Sequence, residues 1–253
     1  VWNGGRAVFG ITGIKDIRAI LKLYNDRGVP VRFTWTNSLL EEKHIYDTYC
    51  NLIMKEADNG MNQVLVNRPV LEEYIRRQYP GFKLISSTTK RITGLDGLLE
   101  ELNKDYFLVV LDYDLNHNEE VLSAIGKQAD KVEILVNEIC YPGCPKRSEH
   151  YRQQSQMQLE YDIDTAFPCP NKTRERKFEE CKERPSFISR EQIREYADRG
   201  FVNFKIVGRG MPMDFVKESY LYYLVKDDSR AFIRNKMDST LNQFAQAMRK
   251  RKA

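Results

Sequence analysis

Val64–Thr88 reads VLVNRPVLEEYIRRQYPGFKLISST. Two short apolar runs, VLV and KLIS, flank a stretch in which Val70, Leu71, Tyr74 and Ile75 recur three or four residues apart. Alternation gives way to helical spacing and then returns, with Pro69 suited to a first helical turn and Pro80-Gly81 to a stop. A strand, a helix and a second strand therefore fit within 25 residues. A crossover of this kind joins parallel strands, and joins them right-handedly.

The same rhythm runs along the chain in both directions. Apolar or β-branched runs occur at Ala7–Ile11, Val31–Trp35, Gln63–Val66, Lys83–Ile85, Phe107–Leu111, Val132–Val136 and Asn203–Val207. Amphipathic segments such as IKDIRAILKLYNDRG and NEEVLSAIGKQAD separate them. Serial βα units favour a TIM-type α/β barrel, closed or nearly closed, over an open doubly wound sheet. Residues 1–225 form this barrel domain, with a cysteine-bearing excursion at 137–185, and residues 226–253 form a C-terminal helix. The excursion is marked by YDIDTAFPCPNKTRERKFEECKERP (Tyr161–Pro185), which has three prolines and little periodicity. The last helix carries Phe232, Met237, Leu241, Phe244 and Met248 at packing intervals. They suit docking on the barrel's own helices or a protein partner.

With 253 residues, 42% of them hydrophobic, the chain can bury a full core. No run approaches the length of a membrane helix and none resembles a signal peptide, so a cytoplasmic protein is expected. The net charge of +4 equals the contribution of Arg249, Lys250, Arg251 and Lys252. The remainder is balanced, which weakens a charge-based case for nucleic-acid binding.

In parallel βα proteins the loops leaving the C-terminal strand ends build the site. Those loops hold Thr36 and Asn37, Asn67 and Arg68, Ser86 to Thr88, Asp112, Asp114 and Asn116, Asn137 and Glu138, then Arg209. Asn37, Asn67, Ser87, Asn137 and Arg209 suit binding of an oxygenated or amide-bearing ligand. Asp112 and Asp114 alternate along LDYDLNHN and point to one side, as a base, a magnesium site or a cap for the helix near Glu119. Glu138 is a second candidate base. His44, His117 and His150 lack ligand spacing, which does not suit a histidine-rich zinc site.

Five cysteines are an odd number, and a fold of this size needs no dense disulfide framework. Cys50 reads as a small core residue. Cys140 and Cys144, in LVNEICYPGCPKRSEHY, lie in a loop with proline and glycine, and Cys169 and Cys181 follow in the excursion. Their spacing leaves three readings open: four soft ligands around zinc or an iron–sulfur cluster, a redox pair, or unlinked thiols.

Several segments together resemble the collagenase-like peptidase family, the unassigned-type peptidase family thirty-two. WNGGRAVFG is similar to its glycine loop after the first strand, and NDRGVPVRFTWTN to its second strand. Val64–Thr88 resembles its next strand pair, and FISREQIREYADRGFVNFKIVGR resembles its helix and KIEGR-like strand. If Val1 follows the first strand, that strand lies outside this sequence and the barrel is completed another way. The resemblance implies a TIM-type barrel with Cys140 and Cys144 after a late strand. It also implies either a peptidase or an enzyme carrying a four-iron cluster, on Cys140, Cys144, Cys169 and Cys181, that hydroxylates RNA or a small aromatic precursor without oxygen. Zinc is the alternative metal, and a non-catalytic barrel with a structural cysteine site the alternative function. The chain departs from the family pattern at LVNEIC, where a histidine-glycine pair is usual, and at Val207, which replaces an acidic residue.

Overall fold

Every β-like run read between Val31 and Val207 becomes a strand of one parallel sheet. The structure, a computed structural model, describes residues 1–4, 12–162, 165–169 and 176–250. The run at Ala7–Ile11 lies outside the described residues. The strands are β1 (Arg32–Trp35), β2 (Gln63–Val66), β3 (Lys83–Ser86), β4 (Leu108–Val110), β5 (Val132–Leu135) and β6 (Asn203–Lys205). Helices α1 (Ile14–Asn25), α2 (Thr48–Ala57), α3 (Pro69–Gln78), α4 (Leu95–Leu102) and α5 (Glu119–Ala124) precede or join the first five strands. Three more, α6 (Arg147–Glu160), α7 (Phe178–Lys182) and α8 (Arg190–Asp198), separate β5 from β6. The chain ends with α9 (Met213–Leu224) and α10 (Arg230–Lys250).

Local chemistry sets these boundaries. Pro69 occupies the first turn of α3, where a missing N–H costs nothing. Asp47 accepts from Cys50 N at 2.7 Å to start α2, and Asn118 accepts from Val121 N at 3.1 Å to start α5. Ser189 and Gln192 form a capping box on α8.

Each strand pairs with its predecessor, in the order β1-β2-β3-β4-β5-β6. Alternation along the strands then sorts side chains onto two faces. Val64, Val66, Leu84, Val109, Val132 and Ile134 point outward into the main core beneath the helices. Leu65, Ile85, Leu108, Val110, Leu135 and Val207 point inward and form a second cluster. Burying each such aliphatic side chain contributes about 1.5–3 kcal/mol. The inward face also carries Arg32 of β1, whose Nη1 lies 2.5 Å from Glu133 Oε1 of β5. A flat sheet would hold those strands several spacings apart, so the sheet must curl.

The expected TIM-type barrel is thus met in a coarser form, a curled parallel half-barrel. Among the described strands no ladder joins β6 to β1. Val1–Gly4 cover that seam: Asn37 N donates to Trp2 O at 3.0 Å, and Arg209 donates to Asn3 Oδ1 and Gly4 O, each at 2.9 Å. A Cβ on Gly4 would come 2.4 Å from Thr36 O, so glycine alone lets the segment lie this close to the strand end. Trp2 is fully buried.

α10 packs on α9 through Lys217–Asp238 (2.7 Å) and Arg234–Glu218 (2.6 Å). Met237 and Leu241 border a groove with Met213, Val216 and Tyr220, while Phe232 and Phe244 remain exposed. Among the described residues no helix is long and apolar enough to cross a membrane.

Behind β3, Glu101 is buried yet charged. Burial raises its pKa, but Lys104, Lys90 and Ser86 donate to the carboxylate at 2.5–2.7 Å and together hold it at about 2. A carboxylate whose folded pKa lies below its unfolded one adds stability that is complete above the unfolded value, 4.5, and lost as pH falls through the folded one. Urea unfolding at successive pH values should therefore show stability falling between about 4.5 and 2. Glu101→Gln should flatten that limb, and an unchanged slope would show that other carboxylates set it.

Candidate functional site

The C-terminal strand ends open into a cavity of about 390 Å³. Its floor is the inward face of the sheet: Thr34, Leu65, Leu135, Lys205 and Val207. Its rim carries Thr36, Ser87 and Glu138, each just past a strand, and Arg209 beyond β6. The excursion between β5 and β6 supplies the cover, with Ile139, Cys140, Tyr151, Cys169 and Arg184 among its contributions. Of the irregular, proline-bearing segment, the described residues Cys169, Arg176, Glu180 and Arg184 lie at the cavity.

Of the residues singled out in the sequence, Thr36, Ser87, Thr88, Glu138, Cys140, His150, Cys169 and Arg209 border this cavity. Glu138 is buried and its Oε1 accepts from Cys140 N at 2.9 Å. Ser87 Oγ accepts from Thr89 N at 3.2 Å. The asparagines are occupied elsewhere. Asn37 donates to Val1 O and Ser155 O, at 2.9 and 3.0 Å. Asn67 donates to Thr89 Oγ1 at 2.9 Å. Asn137 accepts from Val207 N at 2.6 Å and donates to Val207 O and Ser219 Oγ. A side-chain amide here completes backbone pairing at the end of β5 and β6.

Asp112 and Asp114 do face one side, toward arginines instead of the cavity. Arg147 Nη1 lies 3.3 Å from Asp112 Oδ1, and its Nη2 lies 2.8 Å from Asp114 Oδ1. Arg91 pairs with Asp112 and, at 3.1 Å, with Asp114. Arg147 also stacks 3.9 Å over the Tyr113 ring. Burial raises the Asp112 pKa against the pull of Arg91, Arg147 and the Asp114 N–H. At Asp114 burial also pulls upward, but the bonds from Arg147 and Gly143 N prevail and lower it. The helix near Glu119 is capped by Asn118, and Asp112 caps the short turn Tyr113–Leu115.

The four cysteines, as placed, do not fit a common metal or cluster. Cys181 is fully buried in an apolar cluster with Ile139, Phe178 and Phe215. Its thiol donates to Phe178 O at 2.8 Å, turned into that cluster. Cys140, Cys144 and Cys169 are half-buried. Among the described residues no group of three or more His, Cys, Asp or Glu could hold a metal ion. Cys50 is buried, as expected of a core residue.

The cavity wall, largely apolar, carries several charges. Besides Arg147, neutralised by its aspartates, Arg176, Arg184, Lys205 and Arg209 face Glu138 and Glu180. Arg184 is buried, donates to Ile139 O at 3.0 Å and lies 3.8 Å over the Tyr141 ring. The excess of cations suits an anionic group on the ligand. Lys205 and Arg184 had no place in the sequence reading. For Lys205 a signal existed: in NFKIVGR it sits two residues before inward Val207, and so on the same face.

The comparisons point one way. No family model matches the chain. An uncharacterized protease of Methanocaldococcus jannaschii is 27% identical over 184 residues, 70% of this chain. The chain spans about half (54%) of that relative's length. Among solved structures, the U32 peptidase Mk0906 has the same fold, with a TM-score of 0.53, 17% identity and 81% of each chain covered.

Proposed function

We infer that the chain is a barrel protein of the collagenase-like U32 peptidase family, and that its cavity takes a peptide-like ligand bearing a carboxylate. The observation that carries this reading is the cavity itself: at the strand ends, it combines one buried glutamate, Glu138, with an excess of cationic side chains. Glu138 is the group suited to activating water against an amide, since it is a buried carboxylate at the cavity rim. Arg209 and Arg184 are the groups suited to the ligand's carboxylate, because each brings a positive charge to the cavity wall. The sequence resemblance and the fold of Mk0906 support the family; the substrate class is drawn from the charge of the wall. Hydroxylation on a four-cysteine cluster is not part of this proposal, because Cys181 would have to leave its apolar cluster to take part.

Fluorescence-quenched peptides with free C-terminal carboxylates test it. The wild-type protein should cleave members of the panel, and Glu138→Gln should lower the rate by roughly 10²–10⁴-fold. The melting temperature should hold, because glutamine can still accept from Cys140 N. A variant as fast as wild type would remove Glu138 from the chemistry. A panel left intact and unbound by the wild-type protein would overturn the peptide reading.

A further inference from the structure

Lys205 occupies an unusual place for a lysine. It stands on the inward face of β6, deep in the barrel, and its side chain is 25% exposed, to the cavity it lines. Among the described residues its amine approaches one carboxylate, Glu133 Oε2 on β5, and at 3.6 Å that is an ion pair too long for a hydrogen bond. Glu133 Oε1 is committed to Arg32 of β1 at 2.5 Å, and Oε2 is buried without a hydrogen-bond partner. A lysine needed only to balance Glu133 would close that gap. Here the amine stays within reach of the cavity.

We propose that Lys205 is a carbonyl-reactive amine, and that the cavity takes small oxo-carboxylates, forming an imine at Lys205 Nζ. The proposal goes beyond the peptide reading and does not depend on it. The Lys205 nitrogen lone pair attacks the carbonyl carbon, a C–N bond forms, and the oxygen takes up one of the two protons then on nitrogen. Glu133 Oε2 receives the proton shed by nitrogen and returns it to the departing hydroxyl, so the C–O bond breaks with loss of one water. Amine and carbonyl thus give imine and water, with no oxidant or reductant. The ligand's carboxylate meets Arg184 and Arg209 on the cavity wall.

The surroundings favour the neutral amine this step requires. Burial lowers the Lys205 pKa; Glu133 opposes that shift, and Arg32 and Arg209 add to it. The sign follows: the reactive form persists to lower pH at Lys205 than at a surface lysine.

The test is trapping. The full chain is incubated at pH 7 with pyruvate or glyoxylate and sodium cyanoborohydride, which reduces an imine to a stable amine, and the adducts are mapped by peptide mass spectrometry. Lys205 should carry more adduct than exposed lysines such as Lys22 and Lys43. Acetone, which has the carbonyl but no carboxylate, should label it less. Lys205→Arg should remove the site-specific adduct and leave surface labelling unchanged. Mapping the wild-type protein decides the matter even if that variant folds poorly. Labelling of Lys205 no faster than Lys22 would overturn the proposal and leave Lys205 as a charge partner of Glu133. Equal labelling by acetone and pyruvate would overturn the oxo-carboxylate class.

Discussion

Arg147→Ala should destabilise the fold by about 3–5 kcal/mol, the cost of leaving buried charge without its partner. The side chains of Arg147 and Asp112 are each 1% exposed, so water offers little relief. Truncation removes contacts to Asp112, Asp114 and Tyr141 O, and the stacking on Tyr113. Arg91 remains to face two aspartates alone. For a chain of this size the loss corresponds to a fall in melting temperature of roughly 6–20 °C. It should shrink at acid pH, because protonating Asp112 removes the uncompensated charge, and burial already raises that pKa. Thermal melts at two pH values check both statements. A loss under about 1 kcal/mol would mean that the pair behaves as an exposed one.

Trp2→Ala carries the second large effect, about 3–5 kcal/mol for emptying a fully buried aromatic site. The indole packs edge-on against Trp35 and Tyr74, with ring centroids 5.9 and 6.2 Å away. Its Nε1 donates to His44 O at 2.7 Å. Trp2→Phe keeps part of the packing and loses that bond, so its cost should fall between wild type and alanine. Denaturant unfolding followed by circular dichroism orders the three proteins. An alanine variant as stable as wild type would show that residues 1–4 contribute nothing to the seam between β1 and β6.

Six strands of the sheet were legible in the sequence because each buries one or both faces and so shows as an apolar run. Curling followed from the serial βα pattern, but its extent did not, since it rests on contacts such as Arg32 to Glu133, 101 residues apart. The polar strand ends were harder. Asn37, Asn137 and Glu138 look alike in a sequence, each polar and just past a strand. An amide carries both a donor and an acceptor and can stand in for a missing backbone partner, which is how Asn137 meets Val207. A carboxylate only accepts, and Glu138 stays at the cavity. Cysteine spacing revealed two loops near one face but not which way a thiol turns; Cys181 is drawn into the aromatic packing of Phe178 and Phe215. Lys205 is masked in the sequence by the apolar run around it, although alternation sets its direction.

The consecutive strand order also bears on how the chain reaches this state. Each new strand finds its neighbour already in place, so ladders form between segments close in sequence, as in Arg32 with Gln63. The bonds from Arg209 to Asn3 and Gly4 span 206 and 205 residues. By polymer scaling, closing a loop of that length costs about 1.7 kcal/mol more than one of 31 residues. Assembly should therefore spread along the sheet and seal at the seam last, and unfolding should begin there. The cavity that Arg209 borders is then the youngest part of the structure in time.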